Sequence, residues 1–370
     1  MIHETKPNPA ISSLLAERID AGDFPSATYL VAERGQIVFT DVLGLAVRQP
    51  TIPATVDTVY DLASLTKALI TGLLCALRIE AGELTLDSSV AHYLPEFDRV
   101  DKRAITIREL LTHTSGLPAW RPLYVLMEGR PNATISTIAS LDLEYAPGTQ
   151  VLYSDLGFIT LGLLLERLTG TVLAGLSQRE IFEPLKLNQT FFNPEKARQT
   201  GIAACEIGNN YERQTCNEMG LQYQSWREGL IWGEVHDGNA YFLGGAAGHA
   251  GLFSTASETL RIAQQFIAEQ TELLRPETCT LFRTNFTKGL EEDRSIAWKL
   301  ASSPESSAGP DLAPDSFGHA GFTGTSCWID PAPQRVFILL TNRTHIQTLP
   351  FANINSVRRQ FHSLATAALK

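Results

Sequence analysis

Cysteine is scarce: five in 370 residues, at positions 75, 205, 216, 279 and 327. They are scattered, odd in number and never in a C-x-x-C pair, which excludes a disulfide framework and a cysteine zinc site. No apolar run reaches the length of a membrane span. The most apolar stretch, Ala68 to Ile79, is interrupted by Thr71 and Arg78. The opening MIHETKPNPA lacks the apolar core and cleavage pattern of a signal peptide, so the expected location is cytoplasmic. Positive charge is also short, with 30 Lys and Arg against 40 Asp and Glu and a net charge of -10. Such a chain repels phosphate backbones and anionic lipid, so neither nucleic acid nor a membrane is an expected partner. Nothing in the composition fixes the oligomeric state.

What is present is globular. The chain is 44% hydrophobic and 19% charged, which excludes disordered and collagen-like classes, and it is long enough for one large domain of two packed lobes. Asn8 to Asp20 has helical spacing, with Ile11, Leu14, Leu15 and Ile19 on one face. Ala27 to Glu33 and Gln36 to Gly44 are β-rich runs joined by Arg34-Gly35, a hairpin turn. Ser326 to Ile329 and Arg335 to Thr341 form a second such pair around Asp330-Pro331-Ala332-Pro333, and Asn353 to Lys370 closes the chain as a helix. Between them, Thr106 to Thr112, Gly157 to Thr169, Val172 to Ile181 and Ala256 to Gln270 are helical. The pattern predicts an α/β fold of the α+β type. An antiparallel sheet flanked by helices is built from both termini (about 1–87 and 277–370), with a mostly helical lobe (about 88–276) inserted. The loops Ala119 to Ala133 and Cys205 to Trp232 carry Trp120, Tyr124, Tyr211, Tyr223, Trp226 and Trp232; they are cleft rims or ordinary aromatic loop anchors.

Three clusters carry chemistry. Ser64-Leu65-Thr66-Lys67 opens a helical run that is apolar on nearly every face. Three residues apart on a helix is one face, so the Ser64 hydroxyl and Lys67 amine can meet. A serine needs a base to become a nucleophile, and burial at a helix start favours the amine form of Lys67. The alternative is a capping serine and a snorkelling lysine. Tyr153-Ser154-Asp155 sits in a turn before the next long helix. There Tyr153 relays a proton if Lys67 lowers its pKa, or else packs beside an N-capping Asp155. Gly318-His319-Ala320-Gly321-Phe322-Thr323-Gly324-Thr325 reads as a strand of small residues, where glycines allow close approach of a substrate carbonyl to backbone N–H groups.

With these motifs in this order, the chain resembles the serine β-lactamase and penicillin-binding-protein superfamily, above all its class C β-lactamase-related esterase and D-peptidase branch. The segments LLTHTSGLP (Leu110 to Pro118) and GGAAGHAGLFSTA (Gly244 to Ala256) add to the likeness, which spans about residues 10 to 365. The resemblance implies a serine hydrolase acting on a small acyl substrate without a cofactor. Ser64 would be acylated, and Lys67 and Tyr153 would share the acid–base work in an order left open. The backbone N–H groups of Ser64 and Phe322 would form the oxyanion hole. His319 would stand in the place of the third-motif lysine, and Asp155, Ala320 and Gly321 would line the substrate. Two positions depart from the pattern: Asp155 replaces an Asn, and His319 replaces a Lys that attracts the β-lactam carboxylate. An added anion and a missing cation point towards neutral or cationic small esters, or D-residue peptides, and away from β-lactams. A protein that is acylated once and never turns over is the remaining alternative. His236, Asp237 and His249 are not read as a metal site; Asp237 and Asn239 are read as loop-pinning residues, His113 as structural and Cys327 as core.

Overall fold

The structure is a computed structural model that describes residues 6–127, 129–346 and 348–370. Its centre is a seven-stranded antiparallel sheet of β1 (Ser26–Glu33), β2 (Gln36–Val47), β3 (Ile52–Pro53), β6 (Lys299–Leu300), β7 (Phe317–Ala320), β8 (Ser326–Asp330) and β9 (Arg335–Thr341). The strand order is β3-β2-β1-β9-β8-β7-β6, so the chain's two ends meet at the β1–β9 pair, where Leu30 faces Ile338. A separate ribbon pairs β4 (Tyr60–Asp61) with β5 (Phe253–Ser254). Arg34 and Gly35 take φ of 50° and 78°, the double left-handed turn that suits the twist of a two-residue hairpin.

Both faces of the central strands are covered, which explains the near-continuous apolar runs of β1 and β9, whereas β2 is only half-buried along most of its length. Leu30, Ala32, Cys327, Ile329, Ile338 and Leu340 face the main core. Their neighbours Tyr29, Val31, Trp328, Phe337 and Leu339 face the helices Pro9–Asp20 and Asn355–Ala368 through Ile11, Leu15, Val357, Phe361 and Ala365. Asn8 caps the first of these helices by accepting from the Ala10 and Ile11 N–H groups. The helix Ala256–Ala263 lies against β1 and β9, so the chain rejoins the sheet earlier than residue 277.

The buried run after Ser64 is helical from Leu65, but as a π-helix over Lys67–Gly72 and an α-helix only over Leu73–Glu80. Hydropathy gives no sign of that change, since every residue from Thr66 to Ala76 is buried. The third motif is strand only as far as Ala320; Gly321 N–H donates to Thr325 C=O and folds the rest into a tight turn. The atoms that crowd its glycines belong to the protein itself. A Cβ on Gly321 would lie 2.1 Å from Thr325 Oγ1, and one on Gly318 2.1 Å from the Trp328 ring. Among the described residues no single helix is long and apolar enough to cross a membrane.

Gly318→Ala should therefore cost about 1–3 kcal/mol of stability, the scale of core overpacking, read as a lower urea midpoint at unchanged m. Gly201→Ala, where a Cβ meets nothing within 4 Å, should stay within about 0.5 kcal/mol of the parent.

Candidate active site

Ser64 follows Ala63, a buried non-glycine residue at φ 47°, in a conformation costly for an L side chain. Local bonds hold it there. Asp61 Oδ1 accepts the Ala63 N–H at 2.8 Å, and Thr66 Oγ1 donates to the Ala63 carbonyl at 2.6 Å. The turn presents Ser64 at the floor of a cavity of about 690 Å³, a size suited to a small-molecule substrate. The Ser64 and Phe322 N–H groups have no acceptor among the described residues, and both residues line the cavity.

Lys67 is fully buried. Its ammonium donates to Ser64 Oγ at 2.9 Å and to the His249 carbonyl at 3.1 Å, and lies 2.7 Å from Asp155 Oδ1. The Asp155 contact is an ion pair whose angles fall short of a full hydrogen bond. Burial presses Lys67 towards the amine, but Asp155 and Tyr153 outweigh it and its pKa is raised above the ordinary lysine value. The expected amine form is thus overturned by the carboxylate. Asp155 is free for this pairing because the helix Asp155–Thr169 is capped by Ser154, whose Oγ accepts from Gly157 N–H. Asp155 itself is the first helical residue and not the cap.

Tyr153 lies beneath Lys67, with Nζ 4.9 Å from its ring centroid, and packs against His113 at 4.6 Å and His319 at 5.8 Å. Burial raises its pKa; Lys67 only partly opposes this, so Tyr153 is a phenol and not a phenolate. His319 donates Nδ1–H to the Ala320 carbonyl at 2.9 Å, since a carbonyl can only accept. Its Nε2 therefore carries a bare lone pair, buried and without a partner. Burial and then Lys67 hold its pKa well below the usual histidine range. His113 accepts the Ser154 N–H on Nδ1 at 2.9 Å, a structural bond.

The other sequence candidates fall nearby. His249 Nε2 meets Asp237 Oδ1 at 2.8 Å, and His236 Nε2 meets Glu206 Oε2 at 3.0 Å. Among the described residues no group of three could hold a metal. Asp237 caps its own helix through the Ala240 N–H. Asn239 instead reaches across the chain, accepting from Leu123 N–H and donating to the Arg121 carbonyl. Cys327 is buried in the core. Trp120 and Tyr211 line the cavity, whereas Tyr124, Tyr223 and Trp226 pack on one another. Ala320 and Gly321 line it too, but the Gly321 N–H is already bonded.

Sequence reasoning missed Arg294, Arg343, Arg358 and Glu212, all of which line the cavity. Arg294 is paired with Glu292 at 2.6 Å, and Glu212 is pushed up to about 7 by burial and then by Asp237. Arg343 and Arg358 have no carboxylate within 4 Å among the described residues. Arg343 donates to the Phe322 and Ala352 carbonyls, and Arg358 to the Gly321 and Thr325 carbonyls and to Asn355. One signal was readable: Arg358 sits on the helical face of Val357, Phe361 and Ala365, where an idle arginine would be costly.

The Beta-lactamase family profile matches residues 11–357. The chain belongs to the beta-lactamase family. A protein of Escherichia coli (strain K12), provisionally named a D-alanyl-D-alanine carboxypeptidase, is 30% identical over 363 residues, covering 90% of this chain and 81% of that one. An N-acetylmuramyl-L-alanine amidase of Bacillus subtilis (strain 168) is 30% identical over 358 residues, covering 90% and 80%. Among solved structures, the hydrolase EstCE1, titled as having promiscuous acyltransferase activity, superposes with a TM-score of 0.74 at 21% identity, covering 96% of this chain and 97% of that one. This beta-lactamase-family chain is a serine hydrolase, an enzyme of the acyl-enzyme kind.

Ser64→Ala should abolish labelling by a fluorophosphonate probe, read as loss of the adduct mass on the Ser64 peptide, with circular dichroism unchanged. An adduct that persists on another residue would remove Ser64 from its place.

Proposed function

We propose that the protein hydrolyses esters or amides whose leaving part carries a carboxylate, through an acyl-enzyme on Ser64. The observation that carries the nucleophile assignment is the Ser64 hydroxyl held at 2.9 Å by a buried lysine beneath two unbonded backbone N–H groups. In this reading Ser64 attacks the carbonyl and the oxyanion forms against the Ser64 and Phe322 N–H groups. The alcohol or amine then leaves, and water completes the turnover.

The substrate class follows from charge. The Asp155 carboxylate, which alone would repel an anion, is neutralised by Lys67. Arg343 and Arg358 present two guanidinium groups to the same cavity with no carboxylate beside them, and burial and then Arg343 push the Arg358 pKa down to about 9. Like charges left uncompensated in a pocket favour an anionic ligand. Asp155 and His319 alone favour neutral or cationic esters; with the two arginines counted, this reading favours carboxylated substrates instead. The E. coli relative's name, a carboxypeptidase, agrees with that class, and D-residue peptides are its natural members here.

Arg343→Gln should raise KM for an N-acyl dipeptide or a carboxylated thioester by roughly 10- to 100-fold, the value of a charge-assisted hydrogen bond of about 1.5–3 kcal/mol. Hydrolysis of p-nitrophenyl acetate should fall far less. Equal loss on both substrates would contradict the carboxylate reading, and one equivalent of product followed by silence would contradict turnover.

A further inference from the structure

Resting on the Ser64 acyl-enzyme reading, we infer that Glu212 is a specificity residue that receives an ammonium group on the acyl part of the substrate. Three carboxylates gather around the turn at residues 236–238. Two of them have a histidine: Glu206 Oε2 meets His236 Nε2 at 3.0 Å, and Asp237 Oδ1 meets His249 Nε2 at 2.8 Å. Glu212 is the odd one. It is 8% exposed and lines the cavity, and no basic nitrogen lies within 4 Å of it among the described residues. Its oxygens accept one hydrogen bond each, from the Tyr124 hydroxyl at 2.6 Å and from Gly238 N–H at 2.7 Å. Each carboxylate oxygen can accept a second. The backbone is shaped around this side chain, since a Cβ on Gly238 would lie 2.1 Å from Glu212 Oε2.

A separate feature of the same wall calls for a ligand that donates. His236 is 4% exposed, yet its Nδ1 takes no bond among the described residues. Its ring lines the cavity and stacks on Phe322, with centroids 5.6 Å apart at 22°. An ionised Glu206 only accepts, so the hydrogen of a neutral His236 sits on Nε2 and Nδ1 is a bare acceptor. Asp237 adds another: Oδ1 is taken by His249 Nε2 and Ala240 N–H, while Oδ2 takes no bond among the described residues. The open side-chain atoms of Glu212, His236 and Asp237 all accept, and none donates. A primary ammonium brings three donors and the missing positive charge. The rings of Tyr211 and Trp120 line the same cavity, and aromatic rings favour a cation.

The ammonium falls on the acyl part because the arginines take the other end. Arg343 and Arg358 bond to carbonyls of the third-motif turn, at Phe322, Gly321 and Thr325. Glu212 belongs to the inserted helical lobe, bonded to Tyr124 a few residues after Ala119, whose carbonyl accepts the Asp155 N–H. With the leaving part turned to the arginines, the acyl part is what remains for the Glu212 wall. Asp155, already paired with Lys67, does not compete for the ammonium. The substrate class is then zwitterionic, with an amine on the acyl side of the scissile bond and a carboxylate on the other.

The groups that face Glu212 are Asp237, His236, Tyr124 and Cys216. Burial and then Asp237 push its pKa up to about 7, so below that pH it is protonated and offers no charge. Its pull on an ammonium therefore grows as pH rises through 7. The test compares kcat/KM for the methyl thioglycolate thioesters of glycine, β-alanine and ε-aminocaproic acid with their N-acetyl counterparts, from pH 6 to 8. The uncharged leaving part keeps the arginines out of the comparison. For at least one chain length the amine should be favoured by roughly 10- to 100-fold at pH 8, the scale of a charge-assisted hydrogen bond, and by less at pH 6. Glu212→Gln has the same size and should remove that preference and its pH trend by raising KM for the amine, while the N-acetyl thioesters lose far less. No preference in the wild type, a preference that survives Glu212→Gln, or equal losses on both series would overturn the ammonium site while leaving the hydrolase reading intact. If Glu212→Gln does not fold, the wild type alone decides, and a preference that is flat or falls between pH 6 and 8 would overturn the site. A wild type with neither thioester turnover nor a Ser64 adduct would remove both readings together.

Discussion

A lysine ammonium with no access to water sets the terms for the rest of the site. Moving such an ion out of water costs several kcal/mol even after relaxation, and the cost is met only if every hydrogen finds an acceptor and a counter-charge lies close. Asp155 is that counter-charge, and it is available because Ser154 took over the capping of its helix. The carbonyl of His249 is held in place from the other side, where Thr71 Oγ1 donates to Gly248 C=O at 2.7 Å and Leu252 N–H donates to Thr66 Oγ1. Segments far apart in sequence therefore converge on one nitrogen atom, and Ser64 Oγ is one of the two oxygens to which it donates, beside the Asp155 counter-charge.

The same constraint explains why the walls around the lysine are built as they are. A π-helical turn carries Lys67, a form that recurs at functional sites because it shifts side chains off the ordinary helical face. Left-handed Ala63 and His113 flank the site at φ 47° and 60°. Their strain is held by side-chain bonds and by ring contacts of His113 with Tyr153 and Phe158. On the opposite wall Phe322 is pinned by His236, Tyr211 and Phe351, and by Arg343 on its carbonyl. Its N–H is thereby fixed in orientation before any substrate arrives.

Much of this was legible in the sequence, for definite reasons. The Ser64–Lys67 spacing is a helical spacing, the Arg34-Gly35 turn is a backbone requirement, and the near-continuous apolar runs of β1 and β9 mark strands buried on both faces. The three motifs with their order pointed to Ser64, Lys67, Tyr153 and His319, which the structure brings together at one cavity. What was not legible depends on tertiary distance. Whether a lysine is charged is decided by a carboxylate 88 positions away, and capping propensity does not separate Ser154 from Asp155 when both are good caps. Arg343 and Arg358 belong to no motif; they reach the cavity because β9 and the last helix both pass behind the third-motif turn. The glycines of that turn were visible, but the crowding they relieve comes from Thr325 and Trp328, not from a substrate.

The account stands or falls on the charge of Lys67, since the role of Asp155 follows from it. Direct titration of Lys67 in the unmodified protein, by NMR of ¹³Cε-labelled lysine assigned with Lys67→Arg, measures that charge. The account predicts an ammonium that persists past pH 10.5, the ordinary lysine value, because the Asp155 ion pair outweighs burial. A Lys67 resonance that titrates near neutral pH would show a buried amine ready to act as base, and would contradict it.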